Sequence, residues 1–334
     1  NLSNILGYIL NDEDLTGSMK LQSDFLDLNQ LMLPENGSLA KTIAADQELE
    51  PIVIPENIKL SIDTDIKRLN YDNIEIRDIN GVINVNDGEA RMKDVNAKAF
   101  DGQFQLNGGY VSQEGETPKF DLAYGIKNFD FGKTFEKINT FRFLAPIGKY
   151  INGNFNSNLK ISGDLTESLI PDFKTIDAEG FVETFDALLS DFKPMELVVQ
   201  YFKEESARSL KLKDSRNWFS VNDGVVTIKE FDQKIDDINL KISGSHSLDQ
   251  EINYLIKTKL PKEKLSKTGV TDIIDEGLSN INTQLNKLGF NIDNGKYINL
   301  NFVITGTINK PKVDVRVVGM DGETDITDVV KDEI

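Results

Sequence analysis

Apolar and polar residues alternate with a period of two along most of this chain, which predicts β-strands with one buried face and one wet face. Ile58, Leu60, Ile62 and Ile66 are interleaved with Lys59, Ser61, Asp63, Asp65 and Lys67. Phe104 and Leu106 alternate with Gln103, Gln105 and Asn107, and Phe120, Leu122, Tyr124 and Ile126 follow with Asp121 and Lys127 between them. The same parity governs Phe155, Leu159, Ile161 and Leu165, then Leu240 and Ile242, then Ile252, Tyr254, Ile256 and Leu260. Ile298, Leu300, Phe302 and Ile304 repeat it, as do Val313, Val315 and Val317. Successive side chains of a strand point to opposite faces, so each run predicts an apolar side and a polar side. Such strands suit an antiparallel sheet that meets water on one face.

Glycine-centred turns separate the runs. Asn86-Asp87-Gly88 and Asn222-Asp223-Gly224 carry the Asp-Gly pair that tight hairpins favour, because both central residues need a positive φ. Asn107-Gly108-Gly109 and Asp293-Asn294-Gly295 read as similar turns. Short strands with regular turns predict a meander rather than βαβ units. Helical patterns are few. They cover Lys133 to Phe143, then Pro194 to Glu205, where Met195, Leu197, Val198, Tyr201 and Phe202 form a stripe, and Lys262 to Leu288.

The strands are also repeated. Val85-Asn-Asp-Gly88 returns as Val221-Asn-Asp-Gly224, an offset of 136 residues. The same offset pairs Lys93 with Lys229, Phe104 with Leu240, Leu106 with Ile242 and Gly108 with Gly244. A related unit links Leu159-Lys-Ile-Ser-Gly163 with Phe302-Val-Ile-Thr-Gly306. Serial units are therefore expected: one over 1–145 and a second over 146–334 with helices near 194–205 and 262–288, or one continuous domain.

Composition supports a folded chain. Of 334 residues, 39% are hydrophobic, including 19 Phe and 8 Tyr, enough for a sizeable core. Net charge is −18, from 55 acidic against 37 basic residues, which disfavours nucleic acid as a partner because phosphate contacts need clustered Lys and Arg. Broad docking on an anionic lipid surface is disfavoured for the same reason. The absence of cysteine excludes disulfides, thiolate metal sites and a Cys nucleophile. No apolar run approaches the ~20 residues of a membrane-spanning helix, although the chain opens at Asn1 rather than Met, which leaves room for a removed N-terminal signal or anchor.

Candidate chemistry is sparse, and no enzymatic activity is expected. Asp12-Glu13-Asp14, Asp63 with Asp65, and Asp236-Asp237 are the close carboxylates that glycoside hydrolysis would need. Close pairs are common in so acidic a chain, and Asp63 and Asp65 fall on a polar parity. The Asn-Asp-Gly segments resemble calcium loops only superficially, since Val85 and Val221 stand where ligands would be needed. No Walker loop, dinucleotide glycine fingerprint or Gly-x-Ser-x-Gly elbow occurs. The single His246, after Gly244-Ser245, reads as a surface residue at a strand end, and the single Trp218 as a core residue. No metal or cofactor is expected.

One stretch carries a family resemblance. It begins with Ile58-Lys-Leu-Ser-Ile-Asp and continues through Leu69-Asn-Tyr-Asp-Asn-Ile-Glu-Ile-Arg-Asp-Ile-Asn-Gly-Val-Ile-Asn-Val-Asn-Asp-Gly88. It closes with Val95-Asn-Ala-Lys-Ala-Phe-Asp-Gly-Gln-Phe-Gln-Leu-Asn-Gly108. Together with Pro146 to Phe155, Ile161-Ser-Gly-Asp-Leu and Gly306 to Val315, it resembles the AsmA family in the style of its Bacteroidetes-type members, over most of residues 15–318. That resemblance implies a mainly β protein: a long curved antiparallel sheet of serial repeats forming a groove or half-barrel, with a few capping helices. It implies a periplasmic protein of a Gram-negative envelope, held by an N-terminal anchor absent from this sequence, that binds or transfers phospholipid or another acyl lipid in outer-membrane homeostasis. The implied groove lining is Ile58, Leu60, Ile62, Ile66, Phe104, Leu106, Phe120, Leu122, Tyr124, Leu240, Ile242, Ile252, Tyr254, Ile256, Leu300, Phe302 and Ile304. From pattern alone, a closed β-sandwich is preferred, because bare apolar surface forgoes roughly 25 cal/mol per Å²; the resemblance reverses that preference. The alternative function is a structural or scaffolding envelope protein with a closed core and protein partners.

Overall fold

The structure is a computed structural model that describes residues 2–31, 53–113, 115–166, 170–199, 209–235, 238–261 and 297–320. The expected class holds: the chain is mainly β, with serially paired, largely antiparallel strands and a few short helices. In chain order the elements open with β1 (Leu2–Ser3), α1 (Ile5–Asn11), β2 (Leu15–Ser23), β3 (Leu26–Asp27) and α2 (Leu28–Leu31). Long strands follow: β4 (Ile58–Tyr71), β5 (Ile74–Asn86), β6 (Glu89–Ala99), β7 (Gly102–Val111) and β8 (Lys119–Asp130). Next come α3 (Phe131–Lys137), α4 (Asn139–Leu144), a 3₁₀ turn at Pro146–Tyr150, β9 (Ile151–Asn152), β10 (Asn154–Asp164), β11 (Asp177–Ser190) and α5 (Lys193–Val199). The chain continues with β12 (Ser209–Asn222), β13 (Val225–Ile235), β14 (Ile238–Ser247), β15 (Ile252–Pro261), β16 (Tyr297–Thr307) and β17 (Lys310–Met320). The expected helix at 262–288 and the Asp293-Asn294-Gly295 turn lie outside the described residues, as do residues 200–205 of the helix expected at 194–205.

Two compact units emerge, interleaved in sequence. The first comprises Asn1–Arg142, Asn154–Glu183 and Ser220–Gly224; the second comprises Phe143–Gly153, Thr184–Phe219 and Val225–Ile334. In the first, β4, β5, β6, β7, β8 and β10 pair antiparallel in that order. β2 and β3 lie parallel to β4, so the sheet is mixed at this end. In the second, β13 to β17 form an antiparallel run, and β9 pairs with β11 at Ile151 and Asn152.

The 136-residue repeat is written into the backbone. Asp87 and Gly88 have φ of 49° and 77°, and Asp223 and Gly224 have 49° and 72°, the paired positive φ of a tight hairpin turn. Asp78 inside β5 has φ 52°, and its counterpart Asp214 inside β12 has φ 49°. β6 bulges between Met92 and Val95, and β13 bulges between the matching Ile228 and Phe231. Gly108 and Gly244 stand opposite these bulges with φ of 144° and 148°. Asn107-Gly108-Gly109 is therefore not a turn. It lies inside β7, where any Cβ on Gly108 would sit 2.8 Å from Leu122 Cα and overlap Asp121 O.

Side chains hold the bulges. Asp94 has φ 49°, and its N–H donates to Asn107 Oδ1 at 2.8 Å across the strand pair. Asn128 has φ 58°, and its N–H donates to Asn156 Oδ1 at 2.9 Å beside the bulge in the β8–β10 pair. Asp and Asn tolerate this conformation better than other side-chain-bearing residues, and a bulge adds local twist.

Among the described residues, two clusters mark the core of the first unit, and Phe104 touches both. Ile66, Ile79, Val95 and Ala97 form one buried cluster, with Leu21, Leu69, Ile76, Met92, Phe104 and Leu106 packed on it. Phenylalanines form the other. Phe155 meets Phe131 of α3 at 4.4 Å, Phe141 of α4 at 5.5 Å and Phe129 of β8 at 6.2 Å between ring centroids. Asp130 caps α3, its Oδ1 accepting from Lys133 N at 2.7 Å. The helix expected from Lys133 to Phe143 is thus two short helices, broken at Ile138, whose ψ of 107° is extended.

Candidate functional site

The strand registers of the first unit line up apolar side chains into rows that cross the sheet. Met19, Ile62, Ile83, Met92, Gly108, Leu122 and Ile161 are successive cross-strand neighbours from β2 to β10. One pleat away, Leu60, Val85, Ala90, Tyr110 and Phe120 form a second row. Alternation places both rows on one face. That face is incompletely covered: Leu60, Ile62, Ile83, Val85, Met92, Tyr110, Phe120 and Leu122 are all half-buried, and Met19 is exposed. Ile58 and Tyr124 are half-buried on the same parities, and burial pushes the Tyr124 hydroxyl above the usual phenol range.

The opposite face is ionic. Gly109 of β7 lies between Arg91 of β6 and Asp121 of β8, and with no side chain there the two pair over it at 3.2 Å. Lys59 pairs with Asp14 at 2.7 Å, and Lys98 with Asp78 at 2.8 Å. The Asp121 and Glu89 carboxylates hold the Arg91 guanidinium charged, and Asp14 does the same for Lys59. These pairs are solvent-exposed and contribute little stability each; their effect is to keep this face wet.

The residues expected to line a groove separate into three environments. Ile58, Leu60, Ile62, Phe120, Leu122 and Tyr124 sit on the half-covered face. Ile66, Phe104 and Leu106 belong to the buried cluster or pack directly on it. In the second unit, Ile242, Ile256, Phe302 and Val315 are aligned across four strands, with Leu300 and Ile304 on the same face of β16. Leu240, Ile252, Ile256, Leu300, Phe302 and Ile304 are sealed from solvent at 0–4% exposure, while Ile242 and Tyr254 are half-buried. Met19, Ile83, Val85, Met92 and Tyr110 were not among the expected lining residues. Their signal was the short alternations Ile83-x-Val85 and Ala90-x-Met92 on either side of the Asn-Asp-Gly turn.

Other sequence candidates resolve individually. Asp12, Glu13, Asp14, Asp63 and Asp65 are exposed, and Asp65 accepts from Gln22 Nε2 at 3.2 Å. Asp236 and Asp237 lie outside the described residues. Trp218 is 43% exposed rather than in the core, because the Asp214 bulge shifts β12 parity and aligns it with Arg216 instead of Ser215 and Val221. His246 is buried rather than at the surface, on the parity of Leu240 and Ile242. Among the described residues, no group of three or more His, Cys, Asp or Glu could hold a metal ion, and no helix is long and apolar enough to cross a membrane.

No protein-family model, no curated protein and no solved structure matches the chain. The chemistry the site supports is read from its residues alone: a wide strip of hydrocarbon and aromatic surface, one pleat deep, backed by a wet ionic face.

Proposed function

We propose that this chain is a non-enzymatic lipid-binding module that receives the acyl chains of a phospholipid or similar lipid on the half-covered apolar face of its first unit. The observation that carries the reading is the pair of cross-strand rows through Leu60 and Ile62, where eight large or aliphatic side chains remain half-buried. Fully burying one large apolar side chain is worth about 1.5–3 kcal/mol, so a ligand that completes the cover of several gains substantial affinity. The AsmA resemblance supports the same reading and extends it to an anchored, periplasmic protein that moves lipid in envelope maintenance.

The test uses protein purified without detergent, examined by native mass spectrometry and by lipid transfer between liposomes. Co-purified lipid and transfer activity are expected, with Leu122→Asp removing transfer while leaving circular dichroism intact. Leu240→Asp, at a sealed position, is expected to unfold its unit instead. A bare protein mass without transfer would reject lipid binding. It would favour the second reading, a structural envelope protein, for which the sealed face of the second unit argues.

A further inference from the structure

The chain has one histidine, and it is the buried hinge point of a hydrogen-bonded link between distant segments. His246 of β14 stands between Val226 of β13 and Ile252 of β15 in cross-strand register. Its Nε2 is 3.1 Å from the backbone oxygen of Leu144, the last residue of α4. A carbonyl can only accept, so Nε2 carries the proton. Nδ1, 2.8 Å from the Tyr254 hydroxyl, is then the acceptor and the tyrosine the donor. The neutral ring with this one tautomer satisfies all three groups.

The segment that His246 holds is short and irregular. It runs from Leu144 through the 3₁₀ turn at Pro146–Tyr150 to β9. At its far end it is fixed by the two-residue β9–β11 ladder and by the Tyr150 ring against Phe192 at 5.4 Å. At its near end, the carbonyl of Leu144 is one of the helix-terminal acceptors that need an outside donor, and His246 supplies it.

We propose that His246 is a proton-operated latch: neutral, it fastens the segment Leu144–Tyr150 to β14 and β15; protonated, it releases that segment. Proton uptake at Nδ1 converts the acceptor into a donor aimed at the Tyr254 oxygen. The Tyr254 hydroxyl then loses its acceptor, and although Nε2 still donates to the Leu144 carbonyl, the imidazolium charge stays buried until the segment moves aside and admits water. The groups facing the ring are the apolar Val226 and Ile252, the Leu144 carbonyl and Tyr254, which burial keeps protonated. Among the described residues no carboxylate contributes to the titration of the ring: burial lowers its pKa below the ordinary 6.5, and the Leu144 carbonyl opposes that only in part.

The sign follows from linkage. A histidine whose folded pKa is depressed contributes stability that is fully present above 6.5 and lost as pH falls through the depressed value. Across that window the latch weakens up to about tenfold per pH unit.

The single histidine makes the experiment direct. NMR of the protein labelled at histidine Cε1 reads one resonance, and amide hydrogen exchange, corrected for its intrinsic pH dependence, reads protection of residues 144–150. The resonance is expected to titrate below 6.5, with protection of 144–150 falling in step while β16 amides stay protected. In His246→Phe, protection of 144–150 should lose this pH dependence. If that variant fails to fold, the coincidence of the two wild-type midpoints still decides. A histidine that titrates at or above 6.5, or protection that stays flat through its titration, would overturn the latch.

Discussion

Gly108→Ala tests the account of the repeated strands most sharply. Gly108 has φ 144°, which only glycine adopts freely; holding a side-chain-bearing residue there costs about 1–3 kcal/mol. The new Cβ would also sit 2.8 Å from Leu122 Cα and overlap Asp121 O, both backbone atoms of a paired strand. They cannot rotate away, so β7 and β8 must separate locally, which adds a typical overpacking cost of about 1–3 kcal/mol. The sum is about 2–6 kcal/mol. Gly115→Ala is the control, because Gly115 has φ 78° but, among the described residues, nothing within 4 Å of its added Cβ, leaving only about 1–2 kcal/mol of backbone strain. Gly244→Ala is the replicate: φ is 148° and the added Cβ would lie 2.6 Å from Tyr254 Cα. Two compact units can melt separately, so urea unfolding by circular dichroism is paired with hydrogen exchange in β7–β8 and β14–β15. The expected result is a large loss for Gly108→Ala in its own strands, a similar loss for Gly244→Ala in its own, and a small one for Gly115→Ala. Equal, small losses at all three positions would refute the claim that backbone approach, rather than a turn, requires glycine.

Three further substitutions probe other links. Thr64→Val should be neutral or stabilising by about 1 kcal/mol in urea unfolding, because Thr64 Oγ1 is buried on the apolar face with no hydrogen-bond partner among the described residues. Thr184→Val should cost about 1–3 kcal/mol by the same assay, since its buried hydroxyl bonds to Leu212 O and Ser215 Oγ, each at 3.0 Å, and the valine removes both bonds, leaving Ser215 Oγ with its bond from Asn217 Nδ2. Glu230→Ala removes an exposed carboxylate bridging Lys241 at 3.4 Å and Lys257 at 2.9 Å, and should cost under about 1 kcal/mol, shrinking further in high salt.

Period-two alternation made the strands legible because each strand has one buried and one wet face, and turn chemistry made the Asp-Gly hairpins legible because they need two positive φ values. The parallel β2–β4 pair was hidden: parallel pairing leaves no hairpin, and Leu15–Ser23 alternates poorly. The bulges were hidden for a different reason. Asp78, Asp94 and Asp214 are ordinary polar residues in sequence, and their left-handed backbone shows only as a break in parity, as between Ile76 and Ile79 or Met92 and Val95. Trp218 was misplaced by that break. His246 was misplaced despite a readable signal, since it shares parity with Leu240 and Ile242; its polarity argued for water, and the Tyr254 and Leu144 partners that answer that polarity are set by tertiary contact. The candidate face was legible strand by strand, but not the degree of cover along it.

That degree of cover gives the proposed site a direction. Within the first unit, burial falls along the strands. At one end Phe129, Phe155 and Phe131 are 2–3% exposed, sealed by the aromatic cluster beneath α3 and α4. At the other, Leu60, Val85, Tyr110 and Phe120 are half-buried. The rings can close their end because flat side chains at 4.4–6.2 Å fill the space between sheet and helix. The rows through Leu60 and Ile62 stay half-buried instead. An acyl chain gains most where cover is partial and gains nothing where it is complete, so the lipid reading places its ligand over Leu60 and Ile62 and excludes it from Phe155. Phe155→Leu should therefore loosen the unit without changing the amount of lipid bound per folded protein, whereas Ile62→Asp should lower bound lipid in a protein that still folds. If Phe155→Leu instead removed the lipid while the fold stood, the ligand would have to lie at the aromatic end, and the burial gradient would not be what selects its place.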